Sequence, residues 1–104
     1  MANAVGMIEV YGLVAAFAAC DAGCKAANVT VAPFDKNKPA NPAGLPVPLQ
    51  VLVKFQGSVE DVTAAVEAAE EAANRITGVV TKHIIPGMEE SASGMLRLNA
   101  FDKK

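Results

Sequence analysis

The spacing of apolar residues changes period twice along this chain, and both changes fall at a glycine. Residues 7–11, Met-Ile-Glu-Val-Tyr, alternate in the manner of a half-buried strand, with Glu9 on the polar side, and stop at Gly12. From Leu13 the repeat lengthens. Leu13, Phe17, Cys20 and Cys24 recur at i, i+4, i+7 and i+11, which predicts a helix with these four on one face, ending near residues 27–28. Residues 49–56 alternate again, placing Leu49, Val51, Val53 and Phe55 on one side and Gln50, Lys54 and Gln56 on the other. Gly57 turns the chain. Ser58 with Asp61 three residues on predicts a capped helix start, and Glu60 and Asp61 suit the positive end of its dipole. That helix runs to about Ile76, with Val62, Val66, Ala69, Ala73 and Ile76 inward and Glu67, Glu70, Glu71 and Arg75 outward.

Residues 29–32, rich in β-branched side chains, and residues 79–85 supply two further strands, the first stopped by Pro33 and the second closed by Pro86-Gly87. Between the second and third strands, residues 35–48 hold four prolines and one glycine, which predicts a stiff, partly extended loop. Residues 88–104 fit one short helix at about 91–96 followed by a tail. The resulting order is β-α-β-β-α-β, an α+β, ferredoxin-like fold: a four-stranded antiparallel sheet, two helices on one face, and a short C-terminal helix. A length of 104 residues allows one domain, residues 1–104, with its core in about 5–87 and a tail at 88–104. The chain contains 20 alanines, so its elements are thin. Ala16, Ala19, Gly23 and Ala27 form a small-residue stripe against which a neighbouring element can lie close. Side chains this small bury little area each, and burial between subunits would add to a modest core.

Charge and chemistry narrow the function classes. Nine basic against eleven acidic side chains, with only two arginines, provide no basic footprint for nucleic acid. The longest mostly apolar stretch, residues 13–20, is less than half the roughly 20 residues a bilayer requires. The first residues lack the charged region of a secretory signal, so a cytosolic chain with reduced Cys20 and Cys24 thiols is expected. His83, the sole histidine, has no evident nucleophile beside it in sequence. Cys20 and Cys24 are half a metal site at that spacing and are expected to pack as small hydrophobes. The Glu67, Glu70, Glu71 run reads as a solvated helix face, and no glycine-rich phosphate cradle is present. No catalytic or metal residues emerge, and the expectation is a non-enzyme.

Several separated blocks then agree at once. Residues 6–16 read Gly-Met-Ile-Glu-Val-Tyr-Gly-Leu-Val-Ala-Ala, Asp21 is followed by Lys25-Ala26-Ala27-Asn28-Val29, residues 57–59 read Gly-Ser-Val, and residues 83–86 read His-Ile-Ile-Pro. Over about residues 5–87 the chain closely resembles the bacterial microcompartment shell-protein family, in its single-domain, hexamer-forming version. The resemblance implies cyclic hexamers that tile edge to edge into a shell around metabolic enzymes and pass small molecules through a central pore. It places Lys25 and Asn28 at the contact between hexamers. It implies partnership with copies of the chain, with other shell proteins and with encapsulated enzymes, and a location in a microcompartment shell in the cytoplasm, with neither nucleic acid nor membrane as partner.

Two departures from the family pattern stand out. The arginine that usually follows the Ile-Pro pair is Gly87 here. The pore loop, usually short, is stretched, and Asp35, Lys36, Asn37, Lys38, Pro39, Asn41, Pro42, Ala43 and Gly44 are its candidate pore residues. Asp35, Lys36 and Lys38 give each copy a formal +1 in this stretch, which would either favour anions at a shared axis or, with the loops folded over it, accompany a narrowed opening. Some family members hold an axial iron-sulfur cluster through a pore-loop cysteine. Ala43 stands about where it would be, so no cofactor is expected unless a cysteine replaced Ala43. The alternative reading is a trimeric ferredoxin-like regulatory module that binds a nucleotide or metabolite and touches a partner with the long loop.

Overall fold

The computed structural model describes residues 4–37, 49–89 and Leu96. Four strands and two helices follow in the expected order: β1 (Ala4–Tyr11), α1 (Leu13–Ala26), β2 (Thr30–Asn37), β3 (Gln50–Gly57), α2 (Val59–Asn74) and β4 (Val79–Ile85). The strands form one antiparallel sheet in the order β2-β3-β1-β4, so the two strands that precede the helices lie at its centre.

Both helices pack on one face and against each other. Ile8, Val10, Val51, Val53 and Phe55 rise from the sheet into a layer made by Ala15, Ala16 and Ala19 of α1 and Val62, Ala65, Val66, Ala69 and Ala73 of α2. The small residues permit close approach. A Cβ placed on Gly23 would lie 2.5 Å from the Phe55 ring and 3.1 Å from the Ala65 carbonyl, and one on Gly6 would lie 2.7 Å from Val66. This geometry reassigns the buried face of α1. The small stripe is buried, while Leu13, Phe17 and Cys24 of the expected apolar face are exposed and only Cys20 packs partly on the core.

Turn chemistry sets the remaining boundaries. Gly12, at φ 85°, enters α1 while its amide donates to the Leu49 carbonyl at 2.8 Å. Ser58 caps α2, accepting the Asp61 amide at 3.1 Å and donating to the Asp61 carboxylate at 3.0 Å. The helix ends at Asn74, which leaves Ile76 exposed in the following turn instead of inward.

Pro33 does not end β2. The strand lies at the sheet edge, where a missing N–H costs least, and the register shift between Ala32 and Asp35 absorbs the irregularity. Asp35, Lys36 and Asn37 therefore belong to the strand, paired with Leu52, Val51 and Gln50, rather than to the loop assigned to residues 35–48.

The sheet face opposite the helices is also partly covered. Leu96 is buried against Val5 and Ala32, with Met7, Ile85 and Met88 around it. Lys54, expected on a polar face, is only 3% exposed and donates from Nζ to the Leu96 carbonyl at 2.9 Å. The rest of the helix expected at 91–96 lies outside the described residues.

Candidate functional site

Strand β2 separates the two groups of residues singled out in the sequence. Lys25 and Asn28 stand at its N-terminal approach, and Asp35, Lys36 and Asn37 at its far end. Seven strand steps from Thr30 to Asn37 correspond to about 23 Å at the usual rise of roughly 3.3 Å per residue.

At the near end, Lys25 and Asn28 are both exposed. Lys25 Nζ is 2.9 Å from Asp21 Oδ2, an ion pair one helical turn apart, and the hydrogen bond to Asp21 raises its pKa. Its charge is thus fixed under any ordinary condition. Asp21 holds the ammonium on the helix surface beside the Ala27-Asn28 turn that leads into the edge strand.

At the far end the register lines up Asp35, Leu52, Glu9 and Thr81 across the sheet on the face away from the helices. A cleft of about 330 Å³ opens here, lined by Glu9, Asp35, Lys36, Asn37 and Leu52. Asp35 Oδ1 accepts the Lys36 amide at 2.8 Å. Burial pushes the Glu9 carboxyl up, and the Asp35 charge pushes in the same direction. Burial pulls the Lys54 ammonium down while Asp35 opposes it. Glu9 and Lys54 are the residues sequence reasoning missed at this end. The formal +1 counted on the connector omits Glu9, which the sheet brings into the same field as Asp35. The signal lay in the two alternating strands: pairing residues 4–11 with 50–57 already puts Glu9 beside Leu52. Lys38, Pro39, Asn41, Pro42, Ala43 and Gly44 lie outside the described residues.

His83 is exposed on β4, opposite Met7 in the register. A second cleft of about 270 Å³ beside it is lined by Thr63, Val66, Glu67, Lys82 and Ile84. The Thr63 hydroxyl donates to the Val59 carbonyl at 2.7 Å, and Lys82 is paired with Glu70 at 2.7 Å. Hydroxyl and amine are thereby engaged elsewhere, and no nucleophile–base pair forms with His83 among the described residues.

The BMC domain model matches residues 4–88, which is most of the chain and all six elements. The chain belongs to the BMC domain family. Among curated relatives of this BMC domain, it is 38% identical over 98 residues to carboxysome shell protein CcmK2 of Synechocystis sp., covering 92% of this chain and 86% of that protein. It is 39% identical over 84 residues to bacterial microcompartment shell protein PduA of Citrobacter freundii, covering 81% of each. The crystal structure of a microcompartment protein from Desulfitobacterium hafniense DCB superposes with a TM-score of 0.73 at 22% identity. That match covers 96% of this chain, which spans 49% of the other's length, and it speaks for the fold alone. The family suggested by the separated sequence blocks is therefore the one found.

Proposed function

We propose that this chain is a structural, non-enzymatic tile of a bacterial microcompartment shell. Copies close into six-membered rings, the rings join edge to edge, and small molecules pass through the opening at the ring centre. The observation that carries the reading is the family membership over residues 4–88, together with relatives named as shell proteins that match along most of their own length.

The fold gives this reading a layout. In this reading the charged Lys25 and the neighbouring Asn28, both exposed before the start of β2, make the contact between rings. The other end of β2, about 23 Å away by strand rise, leads towards the proline-bearing stretch that this reading assigns to the pore. Asp35, Lys36 and Asn37 then act as the strand-borne root of the pore lining. Lys38, Pro39, Asn41, Pro42, Ala43 and Gly44, which lie outside the described residues, complete the proposed set of pore residues. No cofactor enters the proposal, since Ala43 supplies no thiolate. The partners are copies of the chain, other shell proteins and the enclosed enzymes, in the shell of a cytoplasmic microcompartment.

Electron microscopy of the purified protein tests the proposal. Discs with six-fold symmetry and a central opening, alone or in sheets, are expected. Uniform three-fold particles or monomers at micromolar concentration would overturn it and favour the regulatory module.

A further inference from the structure

Two irregularities in the sheet border the same row of side chains. Between Ala32 and Asp35, β2 advances three residues while β3 advances two, from Lys54 to Leu52. Between Glu9 and Val10, β4 advances two residues while β1 advances one. Both extra residues adjoin the row Asp35, Leu52, Glu9, Thr81. The first of them re-aims β2. Ala32 is buried on the face away from the helices, and simple alternation would put Phe34 on that face next; the extra residue turns Phe34 to the main core and brings Asp35 to the outer face instead.

The result is a cleft of about 330 Å³ with a mixed lining, formed within one protomer by β1, β2 and β3. Cross-strand neighbours have Cα atoms about 5 Å apart, so the Cα atoms of Glu9 and Asp35 stand about 10 Å apart, with Leu52 between them as an apolar floor. Lys36 and Asn37, the next two positions of β2, complete the wall. The lining thus offers two carboxylates as acceptors, an ammonium and an amide as donors, and one branched apolar side chain. Burial, and then the Asp35 charge, push the Glu9 carboxyl up, so a cationic group brought between the two carboxylates offsets a cost already present.

Simple ions fit this lining poorly. An anion meets two carboxylates, and an amine alone leaves the Lys36 ammonium beside a second cation. A metal ion finds only two carboxylates, and the described residues contain no group of three or more His, Cys, Asp or Glu able to hold one. A molecule that carries both charges and a short apolar tail finds a partner for each part. We infer that this cleft binds a small zwitterion of the α-amino-acid type, with its ammonium between Glu9 and Asp35, its carboxylate towards Lys36 and Asn37, and its aliphatic tail on Leu52. The volume lies at the lower end of the roughly 300–1,000 Å³ usual for ligand pockets, as suits a ligand of this size. The inference goes beyond the shell proposal and does not depend on it, since one subunit forms the whole cleft.

The test is an NMR titration of the methyl-labelled full chain with three probes that share one branched tail: L-valine, isobutylamine, which lacks the carboxylate, and isovalerate, which lacks the amine. L-valine is expected to shift the Leu52 methyl signals saturably and to bind at least about tenfold more tightly than either of the others, because each of those forfeits a set of charge-assisted hydrogen bonds. Glu9→Gln and Asp35→Asn, each close in shape to the residue replaced, should weaken L-valine about tenfold without weakening isovalerate. Lys36→Met should weaken L-valine and isovalerate without weakening isobutylamine. The absence of a saturable Leu52 shift at about 50 mM L-valine, well above a millimolar dissociation constant, would overturn the inference. Equal affinity for the three probes, or an unchanged L-valine affinity in both carboxylate variants, would overturn it as well. Particle symmetry enters none of these readouts, so the shell proposal and this one fail separately.

Discussion

Individual residues in this protein are constrained most where backbones approach. Gly23 lies under Phe55, and a methyl group there would overlap the ring and crowd the Ala65 carbonyl, with backbone on one side leaving nowhere to move. Gly23→Ala should therefore cost about 1–3 kcal/mol, read as a lower thermal midpoint. Gly87 has no atom within 4 Å of its would-be Cβ, so Gly87→Arg should shift stability by no more than about 0.5 kcal/mol in the same measurement. Glu9 offers a test by pH. Burial, reinforced by the Asp35 charge, raises its folded pKa above the ordinary value, so the folded state binds the proton more tightly than the unfolded chain does. Any stability linked to this group is present below the unfolded value and lost as pH rises through the folded one. Glu9→Gln should thus raise the midpoint of thermal unfolding at pH 7 and lose that advantage below about pH 4.5. An equal gain at both pH values would show that the carboxylate's burial beside Asp35 is not its cause.

At the scale of elements, what could be read in advance depended on whether local chemistry or packing decides. Caps and turns are local, and the starts of both helices and the full extent of β4 were legible from Gly12, Ser58, Gly78 and Pro86. Ser58→Ala should accordingly cost about 1 kcal/mol, seen as a drop of roughly 5 °C in thermal unfolding, because the Asp61 amide loses its acceptor. The buried face of α1 was not legible. Its larger residues mark one stripe and its alanines and Gly23 another, and periodicity favours the larger. Close packing against Phe55 and α2 admits only the smaller. The same held for β2. Pro33 reads as a stop, yet an edge strand with a shifted register accommodates it, so the candidate pore residues Asp35, Lys36 and Asn37 gained a rigid strand beneath them. Lys54 failed for a third reason: alternation assigns a face, but whether later chain covers that face is not a property of the strand.

For the whole molecule, the consequence of burying alanines is that larger apolar side chains are left outside. Val14 is 71% exposed and Phe17 63% exposed, with the Phe17 ring centre 5.3 Å from Phe34 where α1 flanks the edge strand. Adjacent exposed apolar groups are costly to leave in water, and the proposed assembly into rings would offer cover that the thin core does not. Removing Phe17 would also disturb its pairing with Phe34, so loss of assembly in Phe17→Asp alone would be ambiguous. Val14 is the cleaner probe because most of its side chain is already in solvent. Val14→Asp should leave the thermal midpoint of the isolated subunit nearly unchanged while weakening association at least about tenfold, measured by sedimentation across a dilution series. If the variant assembles as tightly as the parent chain, α1's outer face is not what joins the copies. The proposed ring would then need another surface to close, such as the β2 and β4 edges of the sheet.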